Sequence, residues 1–162
     1  MTARHTLIRS GLGELTLVAA GATLTGVYYL RHWHLPSPDT FGPAVDVATD
    51  PVLAAATHQL EEYLAGRRTS FDLPTGTSGN AFHEQVWALL KEIPYAATTT
   101  YGELAARLGD RSQARRVGQA VGRNPLSVIV PCHRVLGANG SLTGYAGGLD
   151  RKRLLLDLES VA

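Results

Sequence analysis

"VIVPCHRVLG", residues 128–137, holds the only cysteine of the 162-residue chain. Pro131 precedes Cys132, and His133 and Arg134 follow it directly. A lone cysteine is most often a small buried hydrophobe. A reactive thiol needs a base or a positive charge nearby, because the thiolate is the nucleophile. The next two residues supply both groups, so the stretch predicts a nucleophilic thiol. Neighbours on a strand point to opposite faces, so contact between the two side chains requires either a non-strand backbone or a bridging water.

The composition is that of an ordinary globular protein, with 44% hydrophobic and 18% charged residues. The length suits one domain or two small ones that share an interface. No apolar run reaches the roughly 18 to 20 residues of a bilayer-spanning helix, and the first residues lack the apolar core of a signal peptide. One cysteine cannot form an internal disulfide, which agrees with a reducing compartment. We therefore expect a cytoplasmic protein with no membrane partner.

Basic charge is concentrated in the second half of the chain. Residues 1–79 carry 5 Lys and Arg against 7 Asp and Glu, whereas residues 80–162 carry 10 against 7. Six arginines lie within residues 100–134: Arg107, Arg111, Arg115, Arg116, Arg123 and Arg134. A local basic field attracts phosphates even when the whole chain is nearly neutral. A solvated, arginine-rich helix face would give the same pattern.

The first half reads as strands followed by one helix. Three segments rich in Thr, Val, Leu and Tyr predict an antiparallel meander over residues 5–9, 13–19 and 22–30. From Pro51 the apolar period becomes helical, and Gly66 ends that helix. Residues 69–80 combine Gly, Ser, Thr and Pro and predict a linker between two units.

The second half predicts a pair of short helices joined by a tight turn. Asn80 caps a helix before this pair, and Thr100 and Glu103 have capping-box spacing, so the first helix of the pair starts near Tyr101. Ser112 is the expected cap of the second, which carries the arginines. This is a helix-turn-helix pattern.

The last segments carry glycines and then a final helix. The glycine-rich residues after Leu136 predict a hairpin and a loop in which the backbone approaches a ligand. Asp150 is the expected cap of the last helix. Its predicted apolar face is made of Leu154, Leu155 and Leu158.

The cysteine stretch "IVPCHRVLG" resembles the active-site signature of O6-alkylguanine-DNA alkyltransferases, the methylated-DNA–protein-cysteine methyltransferases that repair DNA in a single turnover. "FHEQVWALLKEIPYAATTTYGELAARLG" is similar to the first two helices of that family's DNA-binding half. "ARRVGQAVGRNP" is similar to its recognition helix and asparagine hinge, and "GSLTGYAGGLDRKRLLLDLE" to its pocket loop and closing helix. The resemblance covers about residues 80–160, and residues 1–75 match only loosely.

The resemblance implies an α+β fold. A small N-terminal antiparallel-sheet domain with a helix, residues 1–75, would precede a helical, winged-helix-like C-terminal domain with a helix-turn-helix, residues 76–162. It implies irreversible transfer of a methyl or larger alkyl group from O6 of guanine, with O4 of thymine as a second candidate, to Cys132. The partner would be double-stranded DNA that contains O6-alkylguanine, bound through the minor groove without sequence specificity. The protein would be a monomer in solution that can assemble cooperatively on DNA.

The resemblance also assigns catalytic roles. Cys132 would accept the alkyl group, and His133 would be its base, acting through a water. Glu159 would orient His133, and Asn124 would join the helix-turn-helix to the cysteine segment. Tyr101 would donate a proton to the leaving base.

Further residues would hold the DNA and the damaged base. Arg115 would fill the gap left by the extruded base, and its neighbour Arg116 could compete for phosphate. Small residues on the second helix would allow close approach of the DNA: Ala114, Gly118, Ala120 and Gly122. The alkylguanine pocket would be formed by Tyr145, Gly144, Ala146, Gly147 and Val135. Ala146 stands where some relatives have serine.

Two other functions explain part of the pattern. A redox-sensing helix-turn-helix transcriptional regulator would use Cys132 as its sensor but leave Asn124 and the "GYAGG" loop without a role. A cysteine hydrolase with a Cys-His-Glu site would leave the arginine helix without one. The histidines of the first half, His5, His32, His34 and His58, have no metal-site spacing. We therefore expect no metal and no cofactor.

Overall fold

The computed structural model describes residues 2–160. Its first unit is an antiparallel sheet in the order β1 (Ala3–Ser10), β2 (Gly13–Ala20) and β3 (Thr23–Tyr29). Ile8 pairs with Leu15, and Leu17 pairs with Val27, so one face of the sheet is apolar and buried. The predicted meander is confirmed.

Helix α1 (Pro51–Leu64) packs on this apolar face. The Asp50 carboxylate caps it, accepting hydrogen bonds from the backbone N–H groups of Val52 and Leu53 at 3.1 Å each. Its buried residues recur at helical spacing: Leu53, Ala56, Leu60 and Tyr63. Tyr63 is therefore aimed through the core, away from solvent.

The segment predicted as a linker is hydrogen-bonded to the sheet. The backbone N–H of Leu24 on β3 donates to Pro74 at 2.9 Å, and Gly76 donates back to Leu24 at 3.0 Å. Farther along β3, the N–H of Val27 donates to Pro125 at 2.8 Å. These three bonds cover the free edge of β3, which would otherwise expose unpaired backbone groups. A single apolar core consequently runs through both halves of the chain.

The second half consists of four helices and a short parallel strand pair. The helices are α2 (Ala81–Lys91), α3 (Tyr101–Arg107), α4 (Ala114–Gly122) and α5 (Leu149–Ser160). Strands β4 (Thr99–Thr100) and β5 (Val135–Leu136) pair in parallel between them. Helices α3 and α4 form the predicted helix-turn-helix. The fold is therefore α+β, with the antiparallel sheet and α1 first and the helical, winged-helix-like region second.

The turn between α3 and α4 differs from the prediction. Asp110 caps a 3-10 turn over Arg111–Gln113: its carboxylate accepts from the Ser112 N–H at 3.0 Å and from the Ser112 hydroxyl at 2.6 Å. Helix α4 begins only at Ala114, after Gln113, whose side chain makes no capping hydrogen bond. The prediction of Ser112 as the cap of this helix was wrong, because Ser112 lies inside the 3-10 turn and its hydroxyl donates to Asp110.

The glycine-rich segment after β5 forms an irregular loop with a 3-10 turn at Ala138–Gly140, and the predicted hairpin is absent from residues 137–148. Strand β5 pairs with β4 instead, so no returning strand is needed.

The start and the apolar face of α5 also differ from the prediction. The helix begins at Leu149, one residue before the expected cap, and Leu154 is 41% exposed while Leu155 is buried.

Within residues 2–160, none of the helices is both long enough and apolar enough to cross a membrane.

Candidate active site

Cys132 lies in a tight turn rather than on a strand. Val128 has a positive φ of 71°, which is strained for a β-branched residue. Pro131 (φ −79°, ψ 63°) then closes a second turn, in which the Cys132 N–H donates to Val130 at 2.7 Å. A 3-10 turn over Cys132–Arg134 follows. Since the backbone is not a strand here, the alternation that separates neighbouring side chains does not apply.

Asn124 joins the end of α4 to this turn. It is buried, its amide nitrogen donates to the Val130 carbonyl at 3.0 Å, and its amide oxygen accepts from the Leu126 N–H at 3.0 Å. The carbonyl it binds is the one that also accepts from Cys132. Asn124 therefore fixes the position of the cysteine relative to the helix-turn-helix.

Behind the cysteine, His133 and Glu159 form a completely buried pair. The Nε2 atom of His133 lies 2.7 Å from Oε2 of Glu159. Arg134 donates hydrogen bonds to the same carboxylate from Nε and Nη2, both at 2.8 Å. The backbone N–H of Ala96 donates to it at 3.2 Å, and the Tyr63 hydroxyl also donates to it. Five donor atoms thus converge on one carboxylate.

This arrangement sets the charges of the pair. Burial alone would raise the pKa of Glu159, but hydrogen bonds from His133 and Arg134 outweigh burial and hold the pKa well below its usual range. Burial lowers the pKa of His133, although Glu159 opposes that change. Arg134 already neutralises the carboxylate, so the imidazole rests neutral with its proton on Nε2. Its Nδ1 is buried and has no hydrogen-bond partner within residues 2–160.

The thiol also rests in its neutral form. Burial raises the pKa of Cys132, while a hydrogen bond from Asn124 and the positive charge of Lys152 act in the opposite direction. Lys152 is itself completely buried, and its ammonium donates to the carbonyls of Thr143 at 2.6 Å and Gly144 at 3.0 Å. Burial lowers the pKa of Lys152 to about 8. The Lys152 ammonium is close enough to Cys132 for its positive charge to favour the thiolate.

A cavity of about 30 Å³ adjoins Cys132, with room for a water molecule or two but not for a purine. Its lining includes Tyr145, Gly144 and Ala146. The Tyr145 hydroxyl lies 2.7 Å from that of Tyr29 on β3, which fixes the ring.

Two of the residues assigned to the pocket lie behind this lining. A Cβ at Gly147 would come within 2.5 Å of the Tyr29 ring, so the glycine allows the loop to approach β3. Val135 is completely buried in β5. Neither belongs to the lining of the cavity.

Trp33 closes the mouth of this cavity. Its ring lies against α4, where a Cβ at Gly122 would come within 2.7 Å of it. Its backbone N–H donates to Ala146 at 2.8 Å, and 54% of its surface is exposed. An aromatic ring from the first half therefore covers the access to the cysteine.

A groove of about 1000 Å³ between α3 and α4 adjoins the cavity beside Cys132. Tyr101 and Gly118 line both the groove and the cavity, and Trp33 lies between them. The Tyr101 hydroxyl donates to Thr143 at 3.4 Å, and burial raises its pKa. Ala114 and Arg115 line the groove farther out.

The six arginines do not form a single basic face. Arg134 is inside the protein, and Arg107 pairs with Glu92 at 2.8 Å. Arg116 is stacked 3.8 Å above the ring of Phe82 on α2. Arg115 is exposed and, within residues 2–160, makes no ion pair. The two neighbouring arginines therefore differ, because only Arg116 is held against the body of the protein.

Two of the small residues expected to allow approach to α4 do not face the groove. Ala120 is completely buried, and its carbonyl accepts from the Trp87 indole at 2.8 Å. Gly122 is covered by Trp33. Ala114 and Gly118 are the small residues of α4 that line the groove.

Sequence reasoning missed several contributors to this site. Tyr63 lies 96 residues before Glu159, and no local pattern connects them. Trp33 was not among the candidate site residues. Lys152 did leave a signal, because Lys152, Leu155 and Glu159 fall at i, i+3 and i+7 on one face of α5. Arg134 was counted with the arginines that attract phosphate.

Together, the fold and the site define a helix-turn-helix protein with a buried cysteine set beside the groove between its two helices. The chain belongs to the 6-O-methylguanine DNA methyltransferase family. The DNA binding domain of that family matches residues 81–161, and its ribonuclease-like domain matches residues 3–77. This membership does not favour a redox-sensing regulator.

Relatives resemble the chain over nearly its whole length. The methylated-DNA–protein-cysteine methyltransferase of Mycobacterium bovis is 45% identical over 153 residues, covering 94% of this chain and 89% of the relative. That of Methanosarcina acetivorans is 42% identical, covering 96% and 97%. The crystal structure of Mycobacterium tuberculosis O6-methylguanine methyltransferase is similar at 43% identity and a TM-score of 0.86, covering 99% and 94%. Mycobacterium tuberculosis OGT in complex with DNA is similar at 42% identity and a TM-score of 0.86, covering 98% and 93%.

Because Trp33 covers the cavity, Trp33→Ala should expose the thiol. Cys132 is the only cysteine, so its rate of alkylation by iodoacetamide, followed by mass spectrometry, reports on this one site. We expect the rate to rise several-fold. Leu35→Ala, in the same exposed segment, is the matched control and should leave it unchanged. Equal rates in Trp33→Ala and the unchanged protein would show that the ring does not limit access.

Proposed function

We propose that this chain repairs alkylated DNA directly, by moving an alkyl group from O6 of guanine onto Cys132 in a single turnover, with O4 of thymine as a second candidate substrate. The observation that carries the proposal is the position of the one cysteine. It lies at a cavity that joins the α3–α4 groove, with the buried His133–Glu159 pair behind it. Relatives named methylated-DNA–protein-cysteine methyltransferases and a similar protein in complex with DNA support the proposal.

Activation of the thiol would use the free nitrogen of His133. With Nε2–H held by Glu159, Nδ1 has the lone pair that can take the Cys132 proton through a water. The imidazolium that forms is stabilised by the carboxylate. Lys152 would stabilise the thiolate from the other side.

The transfer step would be a displacement at the alkyl carbon. The bond between that carbon and Cys132 sulfur forms while its bond to O6 of guanine breaks, and the electron pair stays with the base. The Tyr101 phenol, kept neutral by a raised pKa, would give its proton to the departing guanine. The product is a thioether, which water does not cleave under physiological conditions, so each molecule would act once.

The damaged base would have to leave the duplex to reach the cysteine, because the O6-alkyl carbon is stacked and paired within the helix. The cavity is too small for guanine while Trp33 covers it, so this ring must move. Tyr145, Gly144 and Ala146 would then form the walls around the base. Gly147 and Val135 would support those walls from behind.

DNA would lie along the α3–α4 groove, with α4 in the minor groove and without sequence specificity. Ala114 and Gly118 would allow the backbone to approach, and Arg115 would occupy the gap left by the extruded base. Arg116, already stacked on Phe82, would serve phosphate attraction instead.

Other features of the proposal concern the molecule as a whole. The protein would act in the cytoplasm, without a cofactor or a metal, as a monomer that can assemble cooperatively on DNA. Residues 1–75 would form one domain and residues 76–162 the other. Their shared core and the bonds along β3 would keep them in a fixed arrangement.

Cys132→Ser should abolish alkyl transfer while leaving the fold and DNA binding nearly unchanged, because one buried sulfur is replaced by one oxygen. With a large excess of duplex containing labelled O6-methylguanine, the unchanged protein should take up about one methyl group per molecule and then stop. Peptide mapping should place that methyl on Cys132. A methyl on another residue would rule out this acceptor, and a linear rate through several equivalents would indicate a hydrolase or a true catalyst.

Arg115→Ala should separate base extrusion from chemistry. Repair of O6-methylguanine in duplex DNA should fall about 10- to 100-fold if about 1 to 3 kcal/mol of support for the extruded state is lost. Reaction with free O6-benzylguanine, which needs no extrusion, should be unchanged. Arg116→Ala is the matched control and should weaken duplex binding modestly without this selective loss. If Arg115→Ala slowed the reactions with duplex DNA and with free O6-benzylguanine equally, Arg115 would act on the pocket or the fold, and its role in base extrusion would be wrong.

A further inference from the structure

Helix α1 of the first half reaches the carboxylate that orients the proposed base. The Tyr63 side chain is completely buried, and its hydroxyl donates to Oε2 of Glu159. The ring is held by Phe71, with centroids 5.3 Å apart, and by Tyr95 at 6.3 Å. Its hydroxyl therefore has a fixed direction, so the contact is not an incidental surface hydrogen bond.

The oxygen that Tyr63 binds is the one that holds His133. Oε2 of Glu159 accepts from His133 Nε2 at 2.7 Å and from Arg134 Nη2 at 2.8 Å, besides the phenol. Each donor draws electron density from the oxygen, so each makes it a weaker acceptor for the other two. An imidazolium is a stronger donor than a neutral imidazole and depends more on the strength of this acceptor.

We propose that Tyr63 is a positioning residue of the alkyl-transfer reaction, whose hydrogen bond to Oε2 of Glu159 limits how readily His133 takes the proton of Cys132. The inference rests on the proposed function and deepens it. It gives the first half of the chain a part in the chemistry. The Tyr63 phenol on α1 lowers the basicity of His133 through the Glu159 carboxylate, and this keeps the resting thiol protonated.

Other charged groups around His133 act in known directions. Arg134 and Lys152 both disfavour the imidazolium, and Glu159 favours it. Tyr95 lies near the guanidinium of Arg134, 5.7 Å from ring centroid to Cζ. Cys132, the proton donor, completes the set. Substitution of Tyr63 by phenylalanine leaves all of these groups in place and removes only the phenol donor.

The test is the pH dependence of the single-turnover rate of Tyr63→Phe with free O6-benzylguanine, which avoids the pH dependence of DNA binding. Neutral His133 is the active form, so the rate falls as the pH drops through the His133 pKa. Removal of the phenol strengthens Glu159 as an acceptor, favours the imidazolium and raises that pKa. The acid midpoint should therefore move up by about half a pH unit or more, and the rate above it should rise.

Tyr95→Phe is the matched control. It removes a hydroxyl from the neighbouring ring, and this hydroxyl makes no hydrogen bond to Glu159. Its acid midpoint should match that of the unchanged protein. A Tyr63→Phe protein whose rate is lower by the same factor at every pH, or unchanged at every pH, would contradict the inference. Tyr63 would then have only a structural role, in packing.

Replacement of Tyr63 by 3-fluorotyrosine keeps the hydroxyl and the shape of the ring, so it tests the inference even if Tyr63→Phe folds poorly. Fluorine makes the phenol a stronger donor, and the acid midpoint should then move down. A midpoint that does not move, or moves up, would overturn the inference.

The unchanged protein separates this inference from the proposed function. If it fails to place the benzyl group on Cys132 the function is wrong, whereas normal transfer with no shift in the variants rejects only the role of Tyr63.

Discussion

The site depends on one buried negative charge. A carboxylate taken out of water is strongly destabilising unless it is paired and its oxygens are hydrogen-bonded. Glu159 meets both conditions, with the Arg134 guanidinium as counter-charge and Tyr63, His133 and Ala96 as further donors. Because Arg134 balances the charge, His133 need not be protonated in the resting protein. The histidine is therefore oriented by the carboxylate and still free to accept a proton at Nδ1.

The same carboxylate connects distant parts of the chain. Its donors come from α1, from the loop after α2 and from the turn that carries the cysteine, while Glu159 itself lies on α5. The first half supplies one of the five donor atoms, the Tyr63 hydroxyl, and the second half supplies the other four. The hydrogen bonds that cover the edge of β3 and the Tyr29–Tyr145 contact hold the two halves in register around it. The first half thus supports the site through polar contacts as well as through packing.

Local patterns predicted much of the architecture. Segments rich in Thr, Val, Leu and Tyr predicted the three-stranded meander, and the helical apolar period after Pro51 predicted α1. The first helix of the helix-turn-helix followed from the capping-box spacing of Thr100 and Glu103. Errors arose where a short 3-10 turn precedes a helix, as at Ser112, or where a tertiary contact overrides local preference, as in the loop whose carbonyls bind Lys152.

The site itself was only partly accessible from sequence. The cysteine stretch and the resemblance named Cys132, His133, Asn124 and Glu159, and the structure places them around one turn. Arg134 was assigned to a phosphate-attracting field because charge patterning cannot show that a guanidinium is buried. Long-range contributors such as Tyr63 and Trp33 could not be found, since their partners lie far away in the chain and follow no periodic pattern.

In the resting protein His133 is a neutral imidazole whose Nε2–H donates to the Glu159 carboxylate. Nitrogen-15 NMR of histidine-labelled protein at neutral pH distinguishes the two ring nitrogens, with His133 assigned by comparison with His133→Gln. We expect one protonated nitrogen, identified as Nε2, and one bare nitrogen, Nδ1. A doubly protonated ring, or a proton on Nδ1, would show that this protonation state is wrong.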